Sequence, residues 1–274
     1  MKKRNTEISL GIVITGGTAG LGYALASRFL SAGDRVVICG RNVTRLHEAL
    51  HSLRLALPQA EVYGIRCDVG NPSEVSLLAE FAVDQLGIVD RWLNNAGTAG
   101  LLKRPLWELH SADILETCTT NLSGSLLLCA EAVKVMDRQP SSPKAIYHIF
   151  NMGFSSSGAA FSRSAVSHKA SKRGVAEVTH FLSGELKSSG KTSIGVHELS
   201  PGLVFTDLLL QDASHEAVRL FKVIAEKPET VASILAPKIR SITARNRHIR
   251  YQPFVMTFFR MLTGLPRLIG KEQG

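Results

Sequence analysis

The chain has 274 residues, of which 45% are hydrophobic and 20% are charged. This length and composition are sufficient to bury a large core in one domain, and they exclude a disordered or low-complexity protein. The formal net charge is +9, and the four cysteines form no CxxC pair and no cluster with zinc-ligand spacing, so we expect reduced thiols and no metal site.

Short β-rich runs alternate with helical patterns along the chain. The predicted strands are 11–15, 35–39, 61–67, 89–94, 145–151 and 193–199, and the helices between the first of them are 21–32, 44–57 and 72–86. Repeated strand–helix units imply a Rossmann-like α/β fold, a doubly wound parallel sheet with helices on both faces and the ligand site at the carboxyl ends of its strands. We assign residues 1–240 to this single domain and residues 241–274 to a C-terminal tail.

The glycine-rich string TGGTAGLG follows the first predicted strand directly. Gly16 allows a tight turn, Gly20 allows the backbone to approach a phosphate, and Gly22 allows the next helix to pack against the sheet, with its amide N–H groups facing a pyrophosphate. Because the string lies between a strand and a helix, we favour a dinucleotide site over a glycine-rich turn without a ligand. The candidate cofactor contacts in this loop are Thr15, Gly16, Thr18, Gly20, Leu21 and Gly22.

The end of the second predicted strand indicates which dinucleotide is bound. An acidic residue there would hydrogen-bond the ribose hydroxyls of NAD, but this chain has Cys39, Gly40 and then Arg41. An arginine can pair with a 2′-phosphate, so we predict NADP(H). The alternative is that Arg41 is a solvated surface charge.

Four further strings occur in the order of a known family: CDV (67–69), NNAG (94–97), TTN (119–121) and SPGLVFT (200–206). Together with the glycine loop, they resemble the short-chain dehydrogenase/reductases from about residue 8 to residue 210. The resemblance implies an NAD(P)-dependent oxidoreductase that forms a homo-oligomer. It adds Asp68, Val69, Asn95, Ala96, Gly97, Pro201, Gly202 and Thr206 to the candidate cofactor contacts, with Asp68 at the adenine ring and Thr206 at the nicotinamide amide.

Carbonyl reduction requires a hydride on carbon and a proton on oxygen. In this family a serine holds the carbonyl oxygen, a tyrosine donates the proton, a lysine lowers the tyrosine pKa and binds the cofactor ribose, and an asparagine anchors a water relay. The matching lysine and asparagine are Lys172 and Asn121. The serine is Ser155 by the usual family spacing or Ser157 by alignment with a closer group of relatives.

The residue four positions before Lys172 is a histidine, His168, where the family has tyrosine. An imidazole can also donate a proton, but the positive charge of Lys172 would favour its neutral ring, which is a weaker acid. Three interpretations remain open. His168 is a substitute acid, or its presence marks a site that binds cofactor and substrate without reaction, or it is a surface histidine with the proton supplied by water.

Longer runs resemble one branch of this family, the chlorophyll b reductases: 23–42, HIFNM (148–152), SPGLVFTDLLL (200–210) and EKPETVASILAPKIR (226–240). This resemblance implies NADPH-dependent reduction of the C7 formyl group of chlorophyll b, a large apolar substrate, to a hydroxymethyl group. It also implies a thylakoid membrane surface facing the stroma or cytoplasm, or otherwise a cytoplasmic location. The alternatives are a catalytically impaired NADP-binding scaffold or pigment-binding protein, or a reductase of another bulky carbonyl compound.

Two regions near the predicted cleft and the C-terminus have alternative interpretations. Leu101, Leu102 and Trp107 pack on a flat ligand or are core contacts, and 205–229 is predicted to be a lid with one helix. The segment from Lys238 to Gly274 holds eight Lys and Arg side chains against one acid and includes an apolar stretch, so it suits an anionic membrane surface. A dimer contact or core helix is the alternative, and nucleic acid is discounted because no nucleic-acid motif accompanies the charge.

Overall fold

One seven-stranded parallel sheet carries helices on both faces, which confirms the predicted doubly wound α/β fold. The structure, a computed structural model, describes residues 9–153 and 164–251. The strands are β1 (Gly11–Thr15), β2 (Arg35–Gly40), β3 (Val62–Arg66), β4 (Arg91–Asn94), β5 (Tyr147–Met152), β6 (Ile194–Ser200) and β7 (His248–Arg250). Their order is β3-β2-β1-β4-β5-β6-β7, so the direction of strand addition reverses between β1 and β4, where folds of this kind bind ligands.

The helices of the described residues fill the connections between these strands. They are α1 (Gly20–Ser31), α2 (Val43–Ala56), α3 (Pro72–Leu86), α4 (Ser111–Cys118), α5 (Gly124–Asp137), α6 (Val166–Ser188), α7 (Asp207–Leu210), α8 (His215–Ile224) and α9 (Pro228–Ser241). A 3₁₀ turn covers Leu106–Glu108, and a π-helical turn at Thr119–Ser123 joins α4 to α5.

The side chains of the central strands point alternately to the two faces of the sheet, and they divide the apolar core into two layers. On β1, Ile12 and Ile14 belong to the layer beneath α1, α2 and α9, whereas Val13 belongs to the layer beneath α3 and α5. Because successive side chains of a strand point to opposite faces, a strand that is buried on both faces reads as a continuous apolar run. That is why GIVIT and RVVIC were recognisable as strands.

The sequence did not predict β7 or the division of the lid. β7 has only three residues, of which only Ile249 is buried, so it carries too short a pattern to be recognised. It pairs with β6, and the sheet therefore extends past residue 240 into the segment assigned to the tail. The lid prediction of one helix within 205–229 was incomplete, since two helices, α7 and α8, lie there.

A buried carboxylate ties the start of β2 to the end of the domain. Asp34 accepts a hydrogen bond from the backbone N–H of Leu10 at 3.1 Å, and its two oxygens accept from Nη2 and Nε of Arg240 at 3.1 and 2.8 Å. The Asp34 side chain is fully buried, and the Arg240 side chain is 19% exposed. Since Arg240 lies on α9, this bidentate pair fixes the last helix against the first βαβ unit.

Asp34→Ala should therefore lower the free energy of unfolding by about 2–4 kcal/mol, because it removes the buried acceptor of two hydrogen bonds from Arg240 and of one from the Leu10 amide. Urea denaturation at pH 7 measures the change. Asp137→Ala, which removes the exposed ion pair with Lys191, is the matched control and should change stability by less than about 1 kcal/mol. Equal effects of the two substitutions would contradict a structural role for the Asp34 pair.

Candidate active site

The carboxyl ends of β1 and β4 are tied together at the point where the strand order reverses. The Thr15 hydroxyl accepts hydrogen bonds from the backbone N–H groups of Asn95 and Ala96 at 3.1 and 3.0 Å. The Asn95 side chain donates in return to the carbonyls of Thr15 and Gly16 at 2.9 and 3.1 Å. The NNAG segment is thereby held against the glycine-rich loop, and four predicted cofactor contacts, Thr15, Gly16, Asn95 and Ala96, meet at one place.

The glycine-rich loop has the shape that a pyrophosphate requires. Gly16 has a positive φ of 63°, and a β-carbon built on it would lie 2.9 Å from the Ala96 Cα. α1 begins at Gly20 without a side-chain cap on Ala19 and without an acid in its first turn, so its first N–H groups can bind an anion. The loop therefore fits a dinucleotide phosphate. Thr18 lies in this turn, and Leu21 is the second residue of α1.

The segment after β6 reaches the same loop. Pro201 and Gly202 follow that strand, and the Thr206 methyl group lies 3.0 Å from a β-carbon built on Gly20. The Thr206 hydroxyl caps α7 by accepting from the Leu209 amide at 3.4 Å. The cleft is thus bounded by the ends of β1, β4 and β6.

Charged side chains lie at the end of the cleft next to β2 and β3. Arg41 follows β2 and forms an ion pair with Glu116 of α4, with Nη1 and Oε1 2.7 Å apart and both side chains about half exposed. Asp68 accepts from the Gly70 amide at 2.9 Å, and Val69 is buried beside Gly124. The sequence predicted Arg41 as a phosphate ligand or a solvated charge, but not its carboxylate partner.

Asn121 lies at the centre of the π-helical turn and is fully buried. Its Oδ1 accepts from the Thr98 amide at 2.9 Å, while its Nδ2 donates to the Thr98 carbonyl at 2.9 Å and to the Ser171 hydroxyl at 3.0 Å. π-turns are often found at functional sites. A β-carbon built on Gly97 would lie 2.9 Å from Asn121 Oδ1 and 3.0 Å from Lys172 Nζ, so these three predicted residues form one cluster.

Lys172 projects from α6 into the protein interior and is 7% exposed. Its ammonium donates to the Met152 carbonyl at 3.1 Å. Burial disfavours the charged form and lowers the pKa of Lys172 to about 8. At neutral pH the group is therefore a cation that can release its proton more readily than an ordinary lysine.

His168 lies one helical turn before Lys172 and is 5% exposed, so the interpretation as a surface histidine is wrong. Burial first, and then the positive charges of Lys172 and Lys103, lower the pKa of His168 to about 4. Its ring is therefore neutral at pH 7, with one N–H donor and one acceptor nitrogen. The sequence had predicted this direction from Lys172 but had not identified Lys103.

Lys103 connects the segment after β4 to the lid, and nothing in its sequence context predicted this role. Its backbone N–H donates to Asp212 Oδ2 at 2.6 Å, and its ammonium donates to the Leu209 carbonyl at 3.1 Å. Nearby, Leu101 and Trp107 are 63% and 85% exposed, so the alternative that they are core contacts is wrong. The candidate serines Ser155 and Ser157 lie outside the described residues.

These features agree with the comparisons with known proteins. The family model described as short chain dehydrogenase matches residues 11–217. The chain is 39% identical over 256 residues to chlorophyll(ide) b reductase NOL, a chloroplast protein of Oryza sativa subsp. japonica, covering 93% of this chain and 71% of that protein.

Solved structures give the same result. A short chain dehydrogenase/reductase from Burkholderia phymatum in complex with NAD has a TM-score of 0.75 and 26% identity, with 92% of each chain covered. A variant of actinorhodin polyketide ketoreductase with NADPH has a TM-score of 0.71 and 28% identity, covering 88% of this chain and 95% of that one. The chain belongs to the short-chain dehydrogenase/reductase family of oxidoreductases, which confirms the family predicted from the motifs.

The burial of His168 has a measurable consequence. Its ring resonances should stay those of neutral imidazole from pH 8 to pH 5 and change only towards pH 4, because protonation would place a cation in the interior beside Lys172. NMR of protein labelled at histidine measures this, and His168→Gln assigns the signal by removing it. A midpoint near 6.5, the value of a solvated histidine, would contradict the buried position.

Proposed function

We propose that the chain is an NADPH-dependent carbonyl reductase that reduces the C7 formyl group of chlorophyll b to a hydroxymethyl group. The observation that carries the chemistry is the cluster of Lys172, Asn121 and Gly97 at the end of β4, where a buried ammonium and a buried amide face the cleft. The identity of 39% to chlorophyll(ide) b reductase NOL supports the substrate. The exposed apolar side chains of Leu101 and Trp107 suit a large apolar ligand.

The dinucleotide would be held along the carboxyl ends of the strands. The first N–H groups of α1 would bind its pyrophosphate, Lys172 its nicotinamide ribose, and Arg41 the 2′-phosphate that distinguishes NADP from NAD. Bound NADPH supplies the hydride for the formyl carbon. The solved relatives include one complex with NAD and one with NADPH, so the preference for NADPH depends on Arg41.

The proton for the substrate oxygen must come from the protein or from water. His168 is neutral at pH 7, so it does not act as an imidazolium acid. A neutral ring can still donate its N–H to the developing alkoxide while its other nitrogen accepts a replacement proton. Lys172, four residues further along the same helix and with a pKa of about 8, is the acid we assign to that replacement.

A single-turnover assay with NADPH and chlorophyllide b tests this function. His168→Ala should slow hydride transfer by about 10²–10⁴-fold, the usual contribution of a positioned proton donor. The wild-type rate should fall as the pH rises through about 8, because Lys172 then loses the proton that it supplies. His180→Ala, an exposed histidine on the same helix, is the matched control and should react at the wild-type rate. A His168→Ala variant as fast as wild type would overturn the role of the imidazole.

The neutral state of His168 also favours one alternative, an NADP-binding scaffold that holds a pigment without reducing it. The same assay distinguishes the two. If the wild-type protein binds NADPH but does not react, and His168→Tyr restores turnover, the chain is a binding protein with an otherwise intact site.

We also propose that the protein forms a homo-oligomer and binds peripherally to the thylakoid surface through the basic C-terminal region. None of the described helices is long and apolar enough to cross a membrane. The edge of the sheet at β7 presents a cavity of about 340 Å³ lined by Lys238, Arg247 and Arg250 together with His248. Arg247, His248 and Arg250 belong to the tail, of which residues 252–274 lie outside the described part of the chain. Such a surface suits anionic lipid headgroups.

Co-sedimentation with vesicles containing phosphatidylglycerol measures this contact. Replacing Lys238, Arg247 and Arg250 together by glutamine should weaken binding by more than tenfold, at about 1 kcal/mol for each basic residue near an anionic surface. The matched control replaces Arg138, Lys144 and Lys187, which are exposed cations near the amino ends of the strands. Equal losses in the two triple variants would show that only net charge matters and would reject this surface.

A further inference from the structure

The ion pair between Arg41 and Glu116 crosses the adenosine end of the cleft. Arg41 comes from the loop after β2, whereas Glu116 comes from α4, which follows β4. The two charged groups meet with Nη1 and Oε1 2.7 Å apart. Thr119, one turn beyond Glu116, lies against the β3–α3 turn, where its methyl group is 2.9 Å from a β-carbon built on Gly70. Glu116 therefore faces the place where the adenosine ribose would be held.

We infer that Glu116 is a specificity-determining residue for the cofactor, and that its carboxylate opposes the 2′-phosphate of NADP. The inference rests on the proposed role of Arg41 as the group that recognises that phosphate. An acidic residue at the end of β2, which would favour NAD, is missing from this sequence. Glu116 supplies a carboxylate to the same region from the opposite side of the cleft.

The charges explain the direction of the effect. A phosphate monoester carries about −1.5 to −2 at neutral pH, and a phosphate bound to the Arg41 guanidinium would lie within about 6 Å of a carboxylate already bonded to the same group. A bound phosphate would share the Arg41 guanidinium with Glu116 or would displace Glu116 from Nη1. The free 2′-hydroxyl of NAD carries no charge and can donate a hydrogen bond to a carboxylate. Glu116 therefore weakens NADP binding and leaves NAD binding unchanged or slightly improved.

The two other acids near this end of the cleft, Glu74 and Asp68, have hydrogen-bond partners other than Arg41. The Glu74 carboxylate pairs with Arg66 at 2.6 Å and accepts from the Asp68 amide at 2.7 Å. The Asp68 carboxylate accepts from the Gly70 amide. Among the described residues, Glu116 is the one acid that forms an ion pair with Arg41.

Calorimetric titration of the full chain with two cofactor fragments tests the inference without any turnover. The fragments are 2′-phospho-ADP-ribose and ADP-ribose, which lack the nicotinamide ring. Glu116→Gln should tighten binding of 2′-phospho-ADP-ribose by about three- to tenfold, the size expected for one half-exposed charge interaction. Binding of ADP-ribose should stay the same or weaken by up to about threefold.

Glu131→Gln is the matched control, since it removes a carboxylate from another ion pair, with Lys134 on α5. It should leave the binding of both fragments unchanged. An unchanged or weaker affinity of Glu116→Gln for 2′-phospho-ADP-ribose would overturn the inference.

Arg41→Ala separates this inference from the proposed function. If Arg41→Ala weakens 2′-phospho-ADP-ribose by tenfold or more while Glu116→Gln has no effect, the NADP preference stands and the role of Glu116 is rejected. If Arg41→Ala has no effect on that fragment, Arg41 does not recognise the phosphate, and both the NADP preference and the role of Glu116 are rejected.

Discussion

The arrangement of the cleft depends on the hydrogen bonds between the Thr15 hydroxyl and the amides of Asn95 and Ala96. They join β1 and β4, the two strands between which the strand order reverses. The connection continues from the loop after β4 through Thr98 to the buried amide of Asn121. The glycine-rich loop and the π-helical turn are therefore connected through the NNAG segment and Thr98, and a shift at Thr15 would displace both ends of the cleft.

A second polar network links β4, β5 and α6 in the protein interior beside the cleft. Trp92 Nε1 donates to Asn94 Oδ1 at 2.9 Å, Asn94 Nδ2 donates to Asn151 Oδ1 at 2.7 Å, and Asn151 Nδ2 donates to Thr179 Oγ1 at 3.0 Å. All of these groups are buried, where hydrogen bonds are electrostatically stronger than in water. Because Thr179 lies on α6, the network orients the helix that carries His168 and Lys172 relative to β4 and β5.

How much the sequence predicted depends on how local each signal is. The central strands and the glycine loop were predictable, because continuous apolar runs and a strand–turn–helix motif lie within short stretches such as GIVIT followed by TGGTAGLG. β7 was not, since its pairing with β6 depends on a contact distant in sequence. The Arg41–Glu116 pair and the Lys103 contacts with Leu209 and Asp212 were missed for the same reason. The direction of the His168 pKa was predictable from Lys172 alone, but its burial was not.

The lid segment 205–229, which contains α7 and α8, contrasts with this buried network. None of the residues of α7 and α8 is buried, although α8 carries apolar side chains along one side, including Phe221 and Ile224. A flat apolar ligand packed against such side chains would gain about 25 cal/mol for each Å² of apolar surface removed from water. Exclusion of water would also disfavour the charged forms of His168 and Lys172 further. Substrate binding would thus keep the imidazole neutral and make the Lys172 ammonium a stronger acid at the moment when the substrate oxygen requires a proton.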